Sequence, residues 1–216
     1  MNKRYKFLIF DFDGTLAATE PAIQFCMKAA FSEYGLTPPS DDVVRRAIGI
    51  PLNDMVARVG GLGKADADAV TDIYRRFYKK EGMEMTRLFP NALETVRELK
   101  KRGYILLVVS NKNHEVANIS VEKTGLMPFF SMVQGEKDGL CKPSSRVFTE
   151  IVAPFFNALP DECLMIGDAI QDTTFALNCG MDCAFASYGF GIEKDCINKN
   201  VKFILNDISV LTDILD

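Results

Sequence analysis

The stretch Phe7-Leu8-Ile9-Phe10-Asp11-Phe12-Asp13-Gly14-Thr15-Leu16 decides the fold. It begins with a continuous apolar run, which is typical of a strand buried on both faces of a parallel sheet. Two carboxylates, Asp11 and Asp13, come directly after that run. In an open α/β sheet, ligands bind beyond the carboxyl ends of the strands. The stretch therefore predicts a buried first strand that ends at a functional site.

Later segments repeat this apolar pattern, and the last of them does so weakly. They are 104–109, 164–166, 183–186 and 202–205. Helical patterns lie between them, and Pro143 is expected to open one of these helices. Alternating strands and helices predict an α/β fold, in which a doubly wound, Rossmann-like parallel sheet has right-handed crossovers.

Residues 21–85 interrupt this alternation with helical patterns only. The fullest apolar stripe comprises Val70, Ile73, Tyr74, Phe77 and Tyr78. Its aromatic members could form a binding site, but their helical spacing favours packing. We predict an all-helical domain at 17–86, inserted into a core domain made of 1–16 and 87–216.

Composition excludes several classes of protein. The net charge is −4, which is the wrong sign for a nucleic-acid binder. Six cysteines form no C-x-x-C pair and only one histidine is present, so we interpret the cysteines as reduced core residues and expect no zinc site. No segment approaches the ~20 apolar residues of a membrane span, and the first apolar run is too short for a signal peptide. We therefore expect a cytoplasmic protein without a membrane or nucleic-acid partner.

The two carboxylates of the first stretch need compensation if they are buried together. At 5 Å and an effective dielectric near 20, two such charges repel by about 3 kcal/mol. A divalent cation would offset this, and oxygen ligands favour Mg²⁺. Gly14 permits the tight backbone path that brings both carboxylates inward. The alternative is an ordinary turn with solvated side chains.

Polar residues also follow other predicted strands. Ser110 and Asn111 end one strand, Asp168 and Asp172 follow another, and Lys142 lies between these two strands in the chain. Taken singly, Ser110 or Asn111 could cap the next helix, and Lys142 could be solvated. Taken together, they place four carboxylates, a hydroxyl and an ammonium at one edge of the sheet.

Four motifs in this order resemble the haloacid dehalogenase-like superfamily of aspartyl-phosphate hydrolases. They are Asp11-Phe12-Asp13-Gly14-Thr15-Leu16, Ser110-Asn111, Lys142-Pro143, and Gly167-Asp168 with Asp172. The helical insert stands where this family carries its first type of cap domain. Pro90, 104–112, Gly180-Met181 and 188–191 resemble the phosphoglycolate phosphatase branch, although that branch often has Asp-Ser where this chain has Ala18-Thr19.

The resemblance implies roles for the acidic residues. Asp11 would be the nucleophile that forms an aspartyl-phosphate. Asp13 would protonate the leaving alkoxide and then activate the attacking water. Mg²⁺ would bind the carboxylates of Asp11 and Asp168 and the backbone carbonyl of Asp13. Asp172 would hold a metal-bound water or Lys142.

The resemblance also implies which groups hold the substrate. Ser110 and Lys142 would bind phosphate oxygens while charge develops on them. Other substrate-binding residues are Gly14, Thr15 and Asn111. Arg46, beside the loop 49–52, is a candidate contact for a carboxylate or second phosphate of the substrate, and the alternative is a solvated helix arginine.

The resulting expectation is a Mg²⁺-dependent phosphatase, monomeric or homodimeric, that acts on a small phosphorylated metabolite such as phosphoglycolate. One alternative is a sugar-phosphate mutase of the β-phosphoglucomutase type, and another is a catalytically weak regulatory or partner-binding member. The mutases use a histidine just after the first motif. This chain has none there, and Glu20 is the only ionisable residue at 17–21.

Overall fold

The computed structural model describes residues 4–215. The strands, in chain order, are β1 (Phe7–Phe10), β2 (Ala17–Ala18), β3 (Arg87–Leu88), β4 (Ile105–Asn113), β5 (Phe130–Glu136), β6 (Cys163–Gly167), β7 (Asp182–Ala186) and β8 (Val201–Leu205). The α-helices are α1 (Glu20–Tyr34), α2 (Asp41–Arg45), α3 (Leu52–Gly60), α4 (Lys64–Phe77), α5 (Met83–Met85), α6 (Ala92–Lys101), α7 (His114–Lys123), α8 (Ala153–Phe156), α9 (Ile170–Cys179), α10 (Glu193–Cys196) and α11 (Leu211–Ile214). Two π-helical turns span Tyr78–Gly82 and Val147–Val152, and short 3₁₀ turns span Met127–Phe129, Pro160–Glu162 and Ile208–Val210.

Six parallel strands form the main sheet in the order β5-β4-β1-β6-β7-β8. The predicted α/β fold is confirmed, and all the predicted strands are present. β5 was not predicted, because this edge strand is only partly buried and lacks a continuous apolar run.

β1 lies at the centre of the sheet, with β4 on one side and β6 on the other. Its residues alternate between two apolar clusters, with Leu8 and Phe10 on one face of the sheet and Phe7 and Ile9 on the other. Both faces are therefore covered, which explains why this strand is apolar throughout. The central position also brings the ends of β4 and β6 beside the end of β1.

Helices α1–α5, the cap helices, lie between β2 and β3 and have an apolar cluster of their own. β2 and β3 form a short antiparallel ribbon, in which Ala17 pairs with Leu88 and Ala18 with Arg87. The chain thus enters and leaves the helical region at adjacent positions. The division into 1–16 with 87–216, and 17–86, stays a prediction.

Pro143 does not open a helix, contrary to the sequence prediction. The Lys142–Pro143 peptide bond is cis, and the helical segment begins only after Arg146. The Ser144 amide donates to the Cys141 carbonyl at 3.0 Å, which closes a turn around the proline. Lys142 therefore sits in a turn whose backbone is held by other parts of the protein, as described below.

The cysteines are all unpaired, and four of the six are buried, as the sequence predicted. Between Arg4 and Leu215, no helix combines the length and apolar character needed to cross a bilayer.

Candidate active site at the carboxyl edge of the sheet

Asp11 lies buried at the carboxyl end of β1, and its amide donates to the Ile166 carbonyl of β6 at 2.8 Å. The chain then turns sharply, because the Gly14 amide donates to the Ala17 carbonyl at 2.9 Å. Gly14 has a φ of +87°, and a Cβ there would lie 2.3 Å from Asp168 Oδ2. Glycine is therefore needed both for the backbone conformation and for the close approach of Asp168.

Asp168 follows β6 and is held by two hydrogen-bond donors. Thr15 Oγ1 donates to its Oδ1 at 2.9 Å, and the Phe190 amide donates to its Oδ2 at 2.8 Å. Gly189 packs against the same carboxylate, since a Cβ there would lie 2.3 Å from Asp168 Cβ. The Thr15 side chain therefore orients a carboxylate, and its backbone amide donates to the Phe12 carbonyl at 3.4 Å, so a substrate contact from Thr15 stays a prediction.

Lys142 is buried between two carboxylates, so the interpretation of a solvated lysine is wrong. Its Nζ lies 2.9 Å from Asp11 Oδ1 and 2.6 Å from Asp172 Oδ1. Asp172 also accepts the Ala169 amide at Oδ2, at 2.9 Å. Of the two contacts predicted for Asp172, the structure contains the one to Lys142.

Burial is the largest single influence on the pKa values of Asp11, Asp168 and Lys142 in this cluster, and neighbouring charges add to it or oppose it. It raises the pKa of Asp11 to about 7; the Lys142 ammonium opposes this rise and Asp172 adds to it. Burial likewise raises the pKa of Asp168 well above its usual value, and Asp172 and Asp11 add to that effect. The Lys142 ammonium is also penalised by burial, but Asp11 and Asp172 outweigh the penalty and raise its pKa. Lys142 alone therefore does not supply enough positive charge to keep the carboxylates of Asp11 and Asp168 ionised.

The carboxylate group is suited to a divalent cation. Oxygens of Asp11, Asp168 and Asp172 lie within 4.8 Å of one another, and Lys142 is the only cation paired with any of them among residues 4–215. Three carboxylates and one ammonium leave two negative charges when all are ionised. Buried oxygen ligands of this charge fit Mg²⁺. Asp11 and Asp168 were predicted as ligands; the backbone carbonyl of Asp13 stays a prediction.

Asn111, near the end of β4, joins three backbone groups. Its Oδ1 accepts the Lys142 amide at 2.7 Å, and its Nδ2 donates to the carbonyls of Lys142 at 2.9 Å and Gly49 at 2.8 Å. These bonds use its amide donors fully. Asn111 was predicted to bind substrate; in the structure its side chain links the loop between α2 and α3 to the turn that carries Lys142.

Ser110 and Asn111 do not cap α7, so that alternative is wrong. Asn113 caps this helix instead, accepting the amides of Glu115 and Val116. Ser110 is buried, and its hydroxyl accepts the Lys112 amide at 3.3 Å. Its hydroxyl proton stays available for a ligand at this edge of the sheet.

Lys112 is a site residue that sequence reasoning missed. Its Nζ lies 3.1 Å and 3.0 Å from the two carboxylate oxygens of Asp13, and 4.5 Å from the centre of the Tyr78 ring. Burial disfavours its charge, but Asp13 and Tyr78 outweigh burial and raise its pKa. The available signal was its position directly after Ser110-Asn111 at a strand end.

A cavity of about 580 Å³ opens above Asp11 and Asp13, between the cap helices and α7. Most of its wall is apolar: Ile23, Ile48, Ile50, Leu52, Met55, Tyr74, Tyr78, Met83, Val116 and Ile119. Tyr74 and Tyr78 stack with their ring centres 5.8 Å apart. The packing predicted for this aromatic stripe is confirmed, because both rings belong to the apolar cluster of the cap helices, yet both also line the cavity.

The structure does not bring Arg46 to this cavity. Its neighbours Val44 and Ala47 are buried in the cap cluster, so Arg46 lies on the outer side of the short segment and is exposed. Arg45 instead pairs with Glu20 and donates to the Gly189 carbonyl at 3.1 Å. The basic residues that line the cavity are Arg75, Lys79, Lys112 and Lys123.

Known proteins resemble this chain over most of its length. A family model described as haloacid dehalogenase-like hydrolase matches residues 8–186. The phosphoglycolate phosphatase of Psychrobacter arcticus is 29% identical, over 96% of this chain and 94% of its own. That of Haemophilus influenzae is 26% identical over the whole of both chains. A haloacid dehalogenase-like hydrolase structure from Streptococcus pneumoniae superposes with a TM-score of 0.89 at 24% identity, covering 97% of this chain and 98% of that one; this likeness shows the fold.

Proposed function

This chain belongs to the haloacid dehalogenase-like hydrolases, and we propose that it is a Mg²⁺-dependent phosphatase that hydrolyses phosphomonoesters through an aspartyl-phosphate on Asp11. The observation that carries the proposal is the buried cluster of Asp11, Asp168 and Asp172 around Lys142. A buried carboxylate beside an ammonium and a cation site is well placed to attack an anionic phosphate, because positive charge offsets the repulsion.

The reaction has two steps at phosphorus. In the first, an Asp11 carboxylate oxygen attacks phosphorus, the bond from phosphorus to the alcohol oxygen breaks, and Asp13 donates a proton to the leaving alkoxide. In the second, water attacks the same phosphorus and gives a proton to Asp13. The bond to Asp11 then breaks, which releases inorganic phosphate, restores the Asp11 carboxylate and leaves Asp13 protonated for the next cycle.

Other residues of this edge would stabilise charge during both steps. The Ser110 hydroxyl and the Lys142 ammonium would contact phosphate oxygens, while Asp172 and Asn111 keep Lys142 in place. A Mg²⁺ ion bound by Asp11 and Asp168 would neutralise the excess negative charge of the cluster and polarise the phosphoryl group.

Water, and not a sugar hydroxyl, is the proposed acceptor. Glu20 is the residue that could replace the mutase histidine, but it pairs with Arg45 and accepts Gln24 Nε2 at 2.8 Å. The single histidine, His114, accepts the Gly135 amide at Nδ1, at 3.3 Å. Neither residue lines the cavity above Asp11. A catalytically weak role is not favoured either, because every motif position carries its functional residue.

The test follows both products of the reaction. Purified protein with Mg²⁺ is given a panel of phosphomonoesters, including phosphoglycolate, the substrate named for the relatives, and a hexose 1-phosphate. We expect inorganic phosphate to accumulate in step with substrate loss, and not at all with the Asp11→Asn variant. Conversion of the hexose 1-phosphate to its 6-phosphate isomer ahead of phosphate release would favour a mutase.

A further inference from the structure

Building on this proposed function, we propose that the preferred substrate is a phosphomonoester of a large, predominantly apolar alcohol. The inference rests on the cavity above Asp11 and Asp13, whose size, wall and charges all differ from those that a two-carbon acid would need.

Size is the first argument. A phosphorylated two-carbon acid has about nine non-hydrogen atoms, which fill about 270 Å³ at the roughly 30 Å³ that a water molecule occupies in the liquid. The cavity holds about 580 Å³. More than half of it would stay filled with water, so a substrate of that size would gain little from burial. At the same volume per atom the whole cavity has room for about 19 non-hydrogen atoms, and since about four of these belong to the phosphoryl group, it suits an alcohol of about 15.

The wall is the second argument. Ten of the lining side chains are apolar or aromatic, and they come from the cap helices, from the loop and π-helical turn beside them, and from α7. Ile23 and Met55 are almost fully buried, as are the stacked rings of Tyr74 and Tyr78. An apolar surface of this kind binds ligands mainly by removing their apolar area from water. A carboxylate placed against it would lose hydration without a compensating partner.

The distribution of cations is the third argument. The carboxylate of a two-carbon acid would lie close to its phosphate, beside Asp11 and Asp13. The two lysines there are already paired, Lys112 with both oxygens of Asp13 and Lys142 with Asp11 and Asp172. The other lining cations, Arg75, Lys79 and Lys123, are exposed, and of these Arg75 pairs with Asp72 and Lys123 with Glu84. Lys79 has no acidic partner among residues 4–215, but it belongs to the π-helical turn of the cap region, so the sheet edge itself offers a small acid no unpaired cation.

A series of straight-chain alkyl phosphates from ethyl to octyl, with phosphoglycolate as the small acid, tests this inference. We expect kcat/KM to rise by about fourfold for each methylene that becomes buried, because the apolar wall removes it from water. Phosphoglycolate should have a lower kcat/KM than octyl phosphate. Octylphosphonate, which has no ester bond to break, should raise the melting temperature more than methylphosphonate at equal concentration.

A matched pair of variants locates the effect in the cavity. Met83 and Met127 are both half-buried methionines in short helical segments, but only Met83 lines the cavity. Met83→Gln should reduce the ratio of kcat/KM for octyl over ethyl phosphate by about tenfold, whereas Met127→Gln should leave that ratio unchanged. The melting temperature of each variant establishes that it is folded.

The outcomes separate this inference from the proposed function. Mg²⁺-dependent phosphate release with a flat alkyl series, or with phosphoglycolate as the best substrate, would overturn the inference and leave the phosphatase proposal standing. Equal effects of Met83→Gln and Met127→Gln would also overturn it. No phosphate release from any ester would overturn both proposals.

Discussion

The carboxyl edge of the sheet and the cap wall of the cavity line the same space, but the edge is charged and the wall is mainly apolar. The edge consists of buried charged groups, each held by a partner: Lys142 by two carboxylates, Asp168 by Thr15 and the Phe190 amide. The wall is mainly apolar, with side chains from the cap region and α7, although Arg75, Lys79, Glu115 and Lys123 also line it. If both proposals hold, the reaction and the choice of substrate depend on separate parts of the molecule, and we expect variants that alter one without the other.

Asp11→Asn should have the largest effect on the reaction, because it changes the proposed nucleophile and leaves the apolar side chains of the cavity unchanged. The carboxamide cannot act as the nucleophile, so we expect kcat to fall by at least about 10⁴-fold. The protein should stay folded, because the change is nearly isosteric and removes one charge from a cluster with excess negative charge. Phosphate release measures the loss, and octylphosphonate should still raise the melting temperature. Normal turnover would show that Asp11 is not the nucleophile.

Removing the cation should abolish turnover in the intact protein. Restoring Mg²⁺ to 100 times its Kd should stabilise the fold by about 2.7 kcal/mol, which is about 5–10 °C in melting temperature for a chain of this size. Asp168→Asn should lose this thermal shift. Asp182→Asn is the control, because Asp182 pairs with Arg4 and Tyr5 and lies outside the carboxylate cluster. Full activity after treatment with EDTA would contradict the metal requirement.

Asp13→Asn should lower kcat by a smaller factor, about 10²–10⁴-fold, because proton transfer is lost in both steps but the nucleophile remains. Lys112→Met should cost less, about tenfold, since Lys112 acts by holding the Asp13 carboxylate. Rapid-quench measurement of both steps is the readout. If Lys112→Met had the larger effect, Lys112 would have to contact the phosphate itself.

Asn111→Ala tests the link between edge and wall. It leaves the Lys142 amide and the carbonyls of Lys142 and Gly49 without their partner, so we expect a loss of about 1–3 kcal/mol in the free energy of unfolding. Because Lys142 loses its backbone anchor, kcat/KM should also fall, by about tenfold. Asn198→Ala removes two hydrogen bonds, one to the Thr173 carbonyl and one from the Asn200 amide, and should lower stability alone. Equal kcat/KM in the two variants would contradict the link.

The smallest effect is expected for Arg46→Ala. Arg46 is exposed and does not line the cavity, so kcat/KM for every ester should change by less than about twofold. Lys79→Ala, at a lining position, is the comparison within the cap helices. A loss of tenfold or more in Arg46→Ala alone would restore the interpretation of Arg46 as a substrate contact.

Patterns that depend on neighbours in the sequence allowed much of this structure to be predicted. The apolar run before Asp11 predicts a strand covered on both faces of the sheet, because such a strand must be apolar throughout. Asp11, Asp168 and Lys142 could be grouped in advance, because parallel strands end at one edge of the sheet. β5 could not be predicted, since an edge strand that is half-exposed lacks a continuous apolar run.

Other features were decided only when distant segments met. Lys112 looks like a solvated lysine until the fold places it against Asp13, which is 99 positions away. Asn111 looks like a helix cap until Gly49, 62 positions away, reaches its amide. Tyr74 and Tyr78 look like ordinary packing residues, because helical spacing is the same for a core and for a cavity wall.

Five of the six strands of the main sheet and its acidic edge could thus be predicted from sequence, because they follow from short apolar runs and from the rule that parallel strands end together. The tertiary structure alone decided the partners of the lysines, the position of Arg46 and the apolar cavity. These depend on which side chains from separate elements come within a few ångströms of one another, and local sequence does not encode such distances.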